Sequence, residues 1–117
     1  MSLATNVTYT DSSIQNGTAY YYVVTALNIL GDESAYSTEV VAHPASTSIL
    51  PINFTLLNNG LQFNWPSDHI GWRLMVNTNS LSNPAAWVVV PGSVSTNQMW
   101  IPIDQTQINV FFRLIYP

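Results

Sequence analysis

The sequence contains no lysine, no cysteine and few charged residues of either sign. Charged residues make up 7% of the 117 residues, against roughly 25% in an average globular chain. The fixed cations are Arg73 and Arg113. A nucleic-acid-binding protein uses several cations to displace counterions from phosphates, and an anionic membrane surface also attracts clusters of cations. The composition therefore argues against both kinds of partner.

The absence of cysteine excludes disulfide bonds and thiolate metal sites. The two histidines supply little material for a zinc site, and we expect no cofactor. No apolar run approaches the ~20 residues of a membrane-spanning helix, so we expect no membrane insertion. Residues 1–3 lack the basic and apolar regions of a signal peptide. We therefore expect a fragment of a larger protein whose export signal, if it has one, lies upstream.

β-forming apolar residues dominate what is present, with 47% hydrophobic and 12% aromatic residues. Short β-rich runs separated by Asn, Gly, Pro and Ser recur about every ten residues, which predicts an all-β, antiparallel, immunoglobulin-like or fibronectin-like sandwich without substantial helix. In Asn58-Asn59-Gly60 we expect a hairpin turn, because Asn-Gly tolerates positive φ. The predicted strands are 6–10, 20–27, 39–42, 52–56, 61–65, 72–77, 87–90, 99–103 and 110–116.

The chain divides into two regions. We predict a first domain at 1–44, a linker at 45–51 and a second domain at 52–117, because residues 44–48 are small, polar or proline. The run 20–27 is apolar on both faces, and three strands cannot bury both. We therefore expect residues 1–44 to dock onto 52–117, or onto a second copy in a homodimer formed through an exposed β surface.

The first region carries an alternating pattern followed by a Gly-x-Ser-x-x-Ser loop. The residues that carry it are Ile14, Tyr20, Tyr22, Val24, Ala26, Asn28, Gly31, Ser34, Ser37 and Glu39-Val40-Val41. With them, residues 7–44 resemble the C-terminal half of a fibronectin type III domain. The resemblance implies that Tyr20 is a corner tyrosine, whose ring packs inside and whose hydroxyl bonds a nearby backbone group. The family's first half is missing, and Leu30-Gly31-Asp32 departs from the integrin-binding Arg-Gly-Asp.

The second region carries a different set of motifs. They are Leu61-x-Phe63-x-Trp65-Pro66, Asp68-His69-x-Gly71-Trp72-Arg73-Leu74, Thr78-Asn79-Ser80-Leu81, Trp87-Val88-x-Val90-Pro91-Gly92-Ser93 and Phe111-Phe112-Arg113-Leu114-x-Tyr116-Pro117. With them, residues 52–117 resemble a C-terminal β module of large exported bacterial proteins that often carry fibronectin type III, laminin-G-like or polysaccharide-degrading domains. The resemblance implies a secreted or cell-surface location and, as partners, other domains of the parent chain.

The residues that acid–base chemistry needs are scarce. Asp68 beside His69 is the most suggestive pair, but no nucleophile or metal-ligand set accompanies it, and adjacent loop residues tend to point apart. We interpret Asp68 as a cap of the loop before Gly71, and His43 as an exposed residue. A calcium site could draw on Asp11, Asp32 or Glu33, although no spacing favours one. We predict no catalytic residue.

Exposed aromatic residues suggest a different activity. Sugar-binding sandwiches stack pyranose rings on exposed tryptophan, and Trp100 is the candidate because Met99 and Ile101 claim the core face. The candidate polar contacts are Arg113, Asn77 and Gln98. Alternatively, Trp100 covers an interface. The remaining tryptophans, Trp65, Trp72 and Trp87, are expected to fill the core. The glycosylation-like triplets at Asn6, Asn16 and Asn53 are interpreted as accidental matches.

Two functions follow from the sequence. The first is a non-catalytic accessory or scaffold region that spaces or anchors a catalytic or adhesive domain of a secreted bacterial protein. The second is a carbohydrate-binding module of a polysaccharide-degrading enzyme, with polysaccharide as its partner.

Overall fold

The computed structural model describes residues 8–117, and all strand pairs in its sheets are antiparallel. The helical elements of this range are short 3-10 turns, so the all-β prediction is confirmed. The predicted strand 6–10 begins outside the described residues, and its described part, 8–10, forms no strand. The strands are β1 (Tyr20–Tyr22), β2 (Val40–Ala42), β3 (Asn53–Leu57), β4 (Gly60–Asn64), β5 (Arg73–Asn77), β6 (Val88–Val89), β7 (Gln98–Pro102) and β8 (Phe111–Ile115).

Strands β1 and β2 form a two-stranded hairpin, and we call residues 8–44 the hairpin unit. The strand predicted at 20–27 keeps regular pairing only to Tyr22. Beyond Tyr22, the hydroxyl of Ser37 accepts a hydrogen bond from the backbone N–H of Val24, and the hydroxyl of Ser34 accepts one from that of Ala26, each at 2.9 Å. The serine N–H groups donate to the carbonyls of the same two residues. Serine side chains thus replace part of the backbone ladder, which shortens the regular strand.

Residues 45–117, the sandwich unit, contain two three-stranded sheets. The front sheet has the order β3-β4-β7, and the back sheet has the order β6-β5-β8. Phe63 and Trp65 of the front-sheet layer and Leu74 of the back sheet form the buried core. The Phe63 ring lies 4.7 Å from that of Phe112 on β8, which joins the two layers. The partly buried residues packed around this core are Leu50, Ile52, Leu61, Val90, Met99, Ile101, Phe112 and Leu114.

The turn between β3 and β4 confirms the predicted hairpin, but its residues differ from the expectation. Asn58 and Asn59 take the positive φ angles, 49° and 58°, a conformation that asparagine tolerates. Gly60 instead begins β4 opposite Leu57. A Cβ on Gly60 would lie 2.6 Å from Cζ2 of Trp100 and closer still to Cε2 and Nε1. Glycine is therefore required by the indole that covers it.

The two units meet through the segment for which a linker is predicted. Ser46, only 7% exposed, donates its N–H to the carbonyl of Asp68 at 2.8 Å. Its own carbonyl accepts the indole N–H of Trp72 at 2.7 Å. Gly17, at φ +80°, packs against the backbone of Ser67, and its N–H donates to the carbonyl of Pro44 at 2.8 Å. We call these contacts, with those of His69 described below, the joint.

The molecule is elongated, with extents of 70 × 27 × 23 Å. Its Cα radius of gyration is 20.5 Å, against about 13 Å for a compact domain of this length. The hairpin unit therefore extends from the joint and leaves its apolar faces uncovered. Tyr21, Val24 and Val40 are 64%, 69% and 63% exposed. Covering of these faces by a second copy stays a prediction.

Candidate functional site

Trp100 lies on the outer face of the front sheet. It sits on β7 directly opposite Gln62 of β4, which in turn is opposite Thr55 of β3. Its neighbours Met99 and Ile101 pack against the core, so the predicted alternation along β7 is confirmed.

The indole of Trp100 lies across the sheet. Its Nε1–H donates to the carbonyl of Leu57 on β3 at 3.0 Å, and on the way the ring covers Gly60 of β4. The side chain thus spans two strand spacings of ~4.8 Å each, which it can do only by lying along the sheet surface. With Trp100 45% exposed, one side of the ring rests on the sheet and the other is open to solvent.

Neutral polar side chains share this outer face with Trp100, in its own cross-strand row and in the row on the side away from the indole. The strand registers place Asn53, Asn64 and Gln98 in one row and Thr55, Gln62 and Trp100 in the next. We call these six residues the Trp100 face; none of them is ionisable. Amide and hydroxyl groups both donate and accept hydrogen bonds. The face can therefore stack the apolar side of a sugar ring and offer hydrogen bonds to its hydroxyl groups without using charge.

The structure places Trp100 and Gln98 on the same face of β7, two residues apart, but places the other two predicted contacts elsewhere. Arg113 on β8 and Asn77 on β5 belong to the back sheet. The Arg113 guanidinium lies 4.2 Å from the centre of the Trp87 ring. Asn77 is 1% exposed, and its amide bonds Asn79 and Ser80 of the following turn. Sequence reasoning missed Gln62 as a neighbour of Trp100, although alternation along β4 already placed it outward.

The other three tryptophans divide between core and surface. Trp65 and Trp72 are 4% and 6% exposed, as predicted. The prediction for Trp87 was wrong, because it precedes the two-residue β6 and lies half-buried beneath Arg113. The Nε1 of Trp65 is buried without a hydrogen-bond partner.

Asp68 and His69 interact, contrary to the expectation that they point apart. A 3-10 turn over Ser67–His69 brings Nδ1 of His69 to 2.7 Å from Oδ1 of Asp68. Nε2 lies 2.9 Å from the carbonyl of Ser48, and the residue is 3% exposed. Burial by itself lowers the pKa of His69, but the bonds to Ser48 and to the Asp68 carboxylate outweigh it and raise that pKa above its ordinary value. Both ring nitrogens have hydrogen-bond partners within the protein, so His69 ties Ser48 to the turn Ser67–His69.

The candidate calcium ligands have local partners. Asp11 accepts hydrogen bonds from Ser13, which lower the pKa of its carboxyl, while Asp32 bonds Asn28 and Glu33 bonds Thr25. Within residues 8–117, no cluster of three or more His, Asp or Glu side chains could hold a metal ion.

No helix of this same range is both long and apolar enough to cross a membrane. His43 is exposed, as predicted.

A cleft of about 770 Å³ opens between the two sheets. Its lining is mainly apolar and includes Phe54, Phe63, Ile101 and Phe112, with Asp104 as its one ionisable side chain. A single carboxylate does not form the pair that acid–base hydrolysis of a glycosidic bond uses. The cleft therefore offers apolar surface without a catalytic constellation.

Comparison with known proteins identifies two partial relatives. A 44-residue stretch is 52% identical to part of the amylopullulanase of Thermoanaerobacter thermohydrosulfuricus, covering 38% of this chain and 3% of that enzyme. A stretch of the same length is 41% identical to part of the amylopullulanase of Thermoanaerobacterium thermosulfurigenes, covering 38% of this chain and 2% of the enzyme. No protein-family description matches the chain. No solved structure matches it either. The chain is thus similar to a small segment of large carbohydrate-active enzymes.

Proposed function

We propose that this chain is a non-catalytic accessory region of a larger, exported polysaccharide-degrading enzyme, in which it holds neighbouring domains at a fixed distance. The partial similarity to two amylopullulanases supports this context, because the matching stretch is 3% or less of each enzyme. A match of 44 residues is shorter than a typical domain of roughly 50–200 residues, so it supports the context of a large enzyme without carrying over that enzyme's activity.

The contacts of the joint are the observation that supports the spacing role. An open linker would leave its backbone groups to water, whereas Ser46, two residues after the hairpin unit ends, is buried and bonds Asp68 through its N–H and Trp72 through its carbonyl. His69 adds a third tie through the carbonyl of Ser48. These contacts fix the segment that follows Pro44, and Gly17 of the hairpin unit packs directly against Ser67 of the sandwich unit. Together they restrict rotation between two units that extend 70 Å. A stiff connection of that length fixes the separation of whatever is attached at either end.

Small-angle X-ray scattering on the 117-residue chain tests the spacing role. We expect a single rod-like particle with a largest dimension near the 70 Å extent of the structure. A scattering curve that requires a broad mixture of compact and extended forms would refute it. Turnover of any polysaccharide by the purified chain would refute the non-catalytic part of the proposal.

We further propose that the hairpin unit is the second half of a fibronectin type III-like domain. The backbone N–H of Gln15 donates to the hydroxyl of Tyr20 at 2.8 Å, which is the contact expected of a corner tyrosine. Ser34 and Ser37, the serines of the predicted loop motif, bond the strand that follows this tyrosine. Both contacts support the proposal through geometry that the sequence motif implied.

Carbohydrate binding is the second candidate function, and the Trp100 face favours it. The face combines an indole lying along the sheet with amide side chains that can bond hydroxyl groups. Ligand sites typically pair apolar or aromatic surface with a few placed polar groups. Binding and spacing are compatible, because the joint and the Trp100 face occupy different parts of the sandwich unit.

A further inference from the structure

We infer that the Trp100 face binds an electrically neutral polysaccharide chain, one sugar ring of which stacks on the open side of the Trp100 indole. This inference rests on the second candidate function. It goes beyond it by naming the charge class of the ligand, its polymeric form and the side of the indole on which a sugar ring stacks.

The orientation of Trp100 is set before any ligand arrives. The ring is seated on Gly60, and its Nε1–H is bonded to the carbonyl of Leu57 at 3.0 Å. A side chain already held in place loses little rotamer freedom on binding, which removes one of the usual costs of association. Its donor is also used internally, so the ring presents an aromatic surface and the hydrogen bonds to a ligand must come from neighbouring side chains.

The side chains near Trp100 on this face favour an uncharged ligand. An acidic polysaccharide would need cations, but Arg73 and Arg113 both lie on strands of the back sheet. The protein's net charge of −4 also repels a polyanion at long range. Asn64, Gln98 and Gln62 offer only neutral donors and acceptors, which match the hydroxyl groups of an uncharged sugar.

The arrangement along β7 favours a chain over a single sugar. Gln98 and Trp100 are two residues apart on one face, which separates their Cα atoms by about 7 Å along the strand. The indole extends away from Gln98, over the row that contains Leu57, Gly60 and Pro102. An extended chain with one sugar on the indole can therefore pass next over Gln62 and reach Gln98 and its cross-strand neighbour Asn64 with a later unit. Contacts to successive sugar units of a chain add to the binding free energy, whereas a monosaccharide contacts the side chains of only one cross-strand row.

Native gel electrophoresis in gels that contain polysaccharide tests the inference. Pullulan and soluble starch serve as neutral probes, and polygalacturonate as the acidic probe. The 117-residue chain should be retarded by at least one neutral probe and not by polygalacturonate. Trp100→Ala should lose the retardation. Gly60→Ala should lose it too, because the added Cβ pushes the ring off the sheet while Trp100 remains present.

The matched control is Trp87→Ala, which removes a half-buried indole from the back sheet. It should be retarded like the wild type, and circular dichroism should show that all three variants are folded. Should Trp100→Ala fail to fold, Gly60→Ala and Gln98→Ala decide the question, and both should weaken retardation.

The remaining outcomes separate this inference from the functions on which it rests. Retardation by a neutral probe that persists in folded Trp100→Ala would refute the site but keep carbohydrate binding. Retardation by polygalacturonate alone would refute the charge class. No retardation by any probe would refute both the inference and the second candidate function, while leaving the spacing role intact.

Discussion

The hairpin unit and the sandwich unit are built from similarly apolar strands, yet only the sandwich unit has a core. All the buried hydrophobic residues of the described range lie between Phe63 and Met75. In the hairpin unit, Tyr21 on β1 and Val24 just after it are both mostly exposed. The difference teaches that apolar composition does not make a core. A second layer is needed, and two strands do not supply one.

Charge separates the two units in the same way. Asp11, Asp32, Glu33 and Glu39 belong to the hairpin unit, which contains neither lysine nor arginine in its described residues. The sandwich unit carries two acids and both arginines. Any partner of the hairpin unit therefore approaches an apolar and acidic surface, and any partner of the sandwich unit approaches a nearly neutral one.

The largest expected effect comes from comparing two leucine-to-alanine substitutions, one in each unit. Leu74→Ala should lower the free energy of unfolding by about 3 kcal/mol, because Leu74 is 0% exposed and its removal leaves a cavity. Leu27→Ala, at a site that is 50% exposed, should cost ~0.5 kcal/mol or less. Urea denaturation measures both. Equal losses would mean that Leu27 is buried in solution, most simply by a second copy of the chain.

A pair of glycine substitutions probes the joint. Gly17 and Gly31 both have positive φ, at 80° and 90°, so alanine should cost ~1 kcal/mol at each. At Gly17 the added Cβ would also lie 2.9 Å from the carbonyl carbon of Ser67, whereas Gly31 has open space. We expect Gly17→Ala to cost about 1 kcal/mol more and to broaden the scattering-derived size distribution. If the two variants behave alike, the joint is not packed in solution.

Tyr20→Phe tests the corner contact of the hairpin unit. Loss of the hydroxyl leaves the N–H of Gln15 without its partner, which should cost about 1 kcal/mol. The effect should be local and should appear as faster hydrogen exchange of the Gln15 amide. Tyr21→Phe, at a position that is 64% exposed, provides the matched control. Unchanged exchange in Tyr20→Phe would argue against the corner and against the fibronectin-like proposal.

The smallest expected effect is a pH dependence that comes from His69. Its pKa is raised above 6.5 in the folded protein, so the native state binds more protons than the unfolded state between 6.5 and that raised value. The stabilisation that protonated His69 contributes is fully present below pH 6.5 and is lost as the pH rises through the pKa of His69 in the folded protein. A neutral imidazole can donate to Ser48 or to Asp68, but not to both.

Urea midpoints measured from pH 5.5 to 8.5 check this dependence. They should fall with rising pH in the wild type, and His69→Gln should flatten the profile. A profile that rises over this range would contradict the protonated bridge.

The sequence predicted much of the sandwich unit and less of the hairpin unit. Alternation placed Phe63 and Trp65 inward and Gln62 outward, because one buried face imposes a period of two on a strand. The run 20–27 gave no such signal, since apolar residues on both sides do not reveal where regular pairing stops. The serines that end the pairing at Val24 and Ala26 act through contacts across 8 to 13 residues, which a local pattern does not encode.

The candidate site was predicted in part. Trp100 was identified because its strand neighbours Met99 and Ile101 were expected to face the core, and Gln98 lies on the same face of the same strand as Trp100. Arg113 and Asn77 were grouped with it by residue type, and the order of strands in the two sheets separated them.

By itself the sequence determined the all-β class, the hairpin turn and the scarcity of groups for catalysis, because backbone preference and side-chain chemistry are local properties. Only the tertiary structure decided that β7 pairs with β4, which lays Trp100 over Gly60. It also decided that His69 and Trp72 hold the segment joining the two units. These features depend on contacts between residues 21 to 43 positions apart, and such contacts exist only after the strands have paired and the layers have packed.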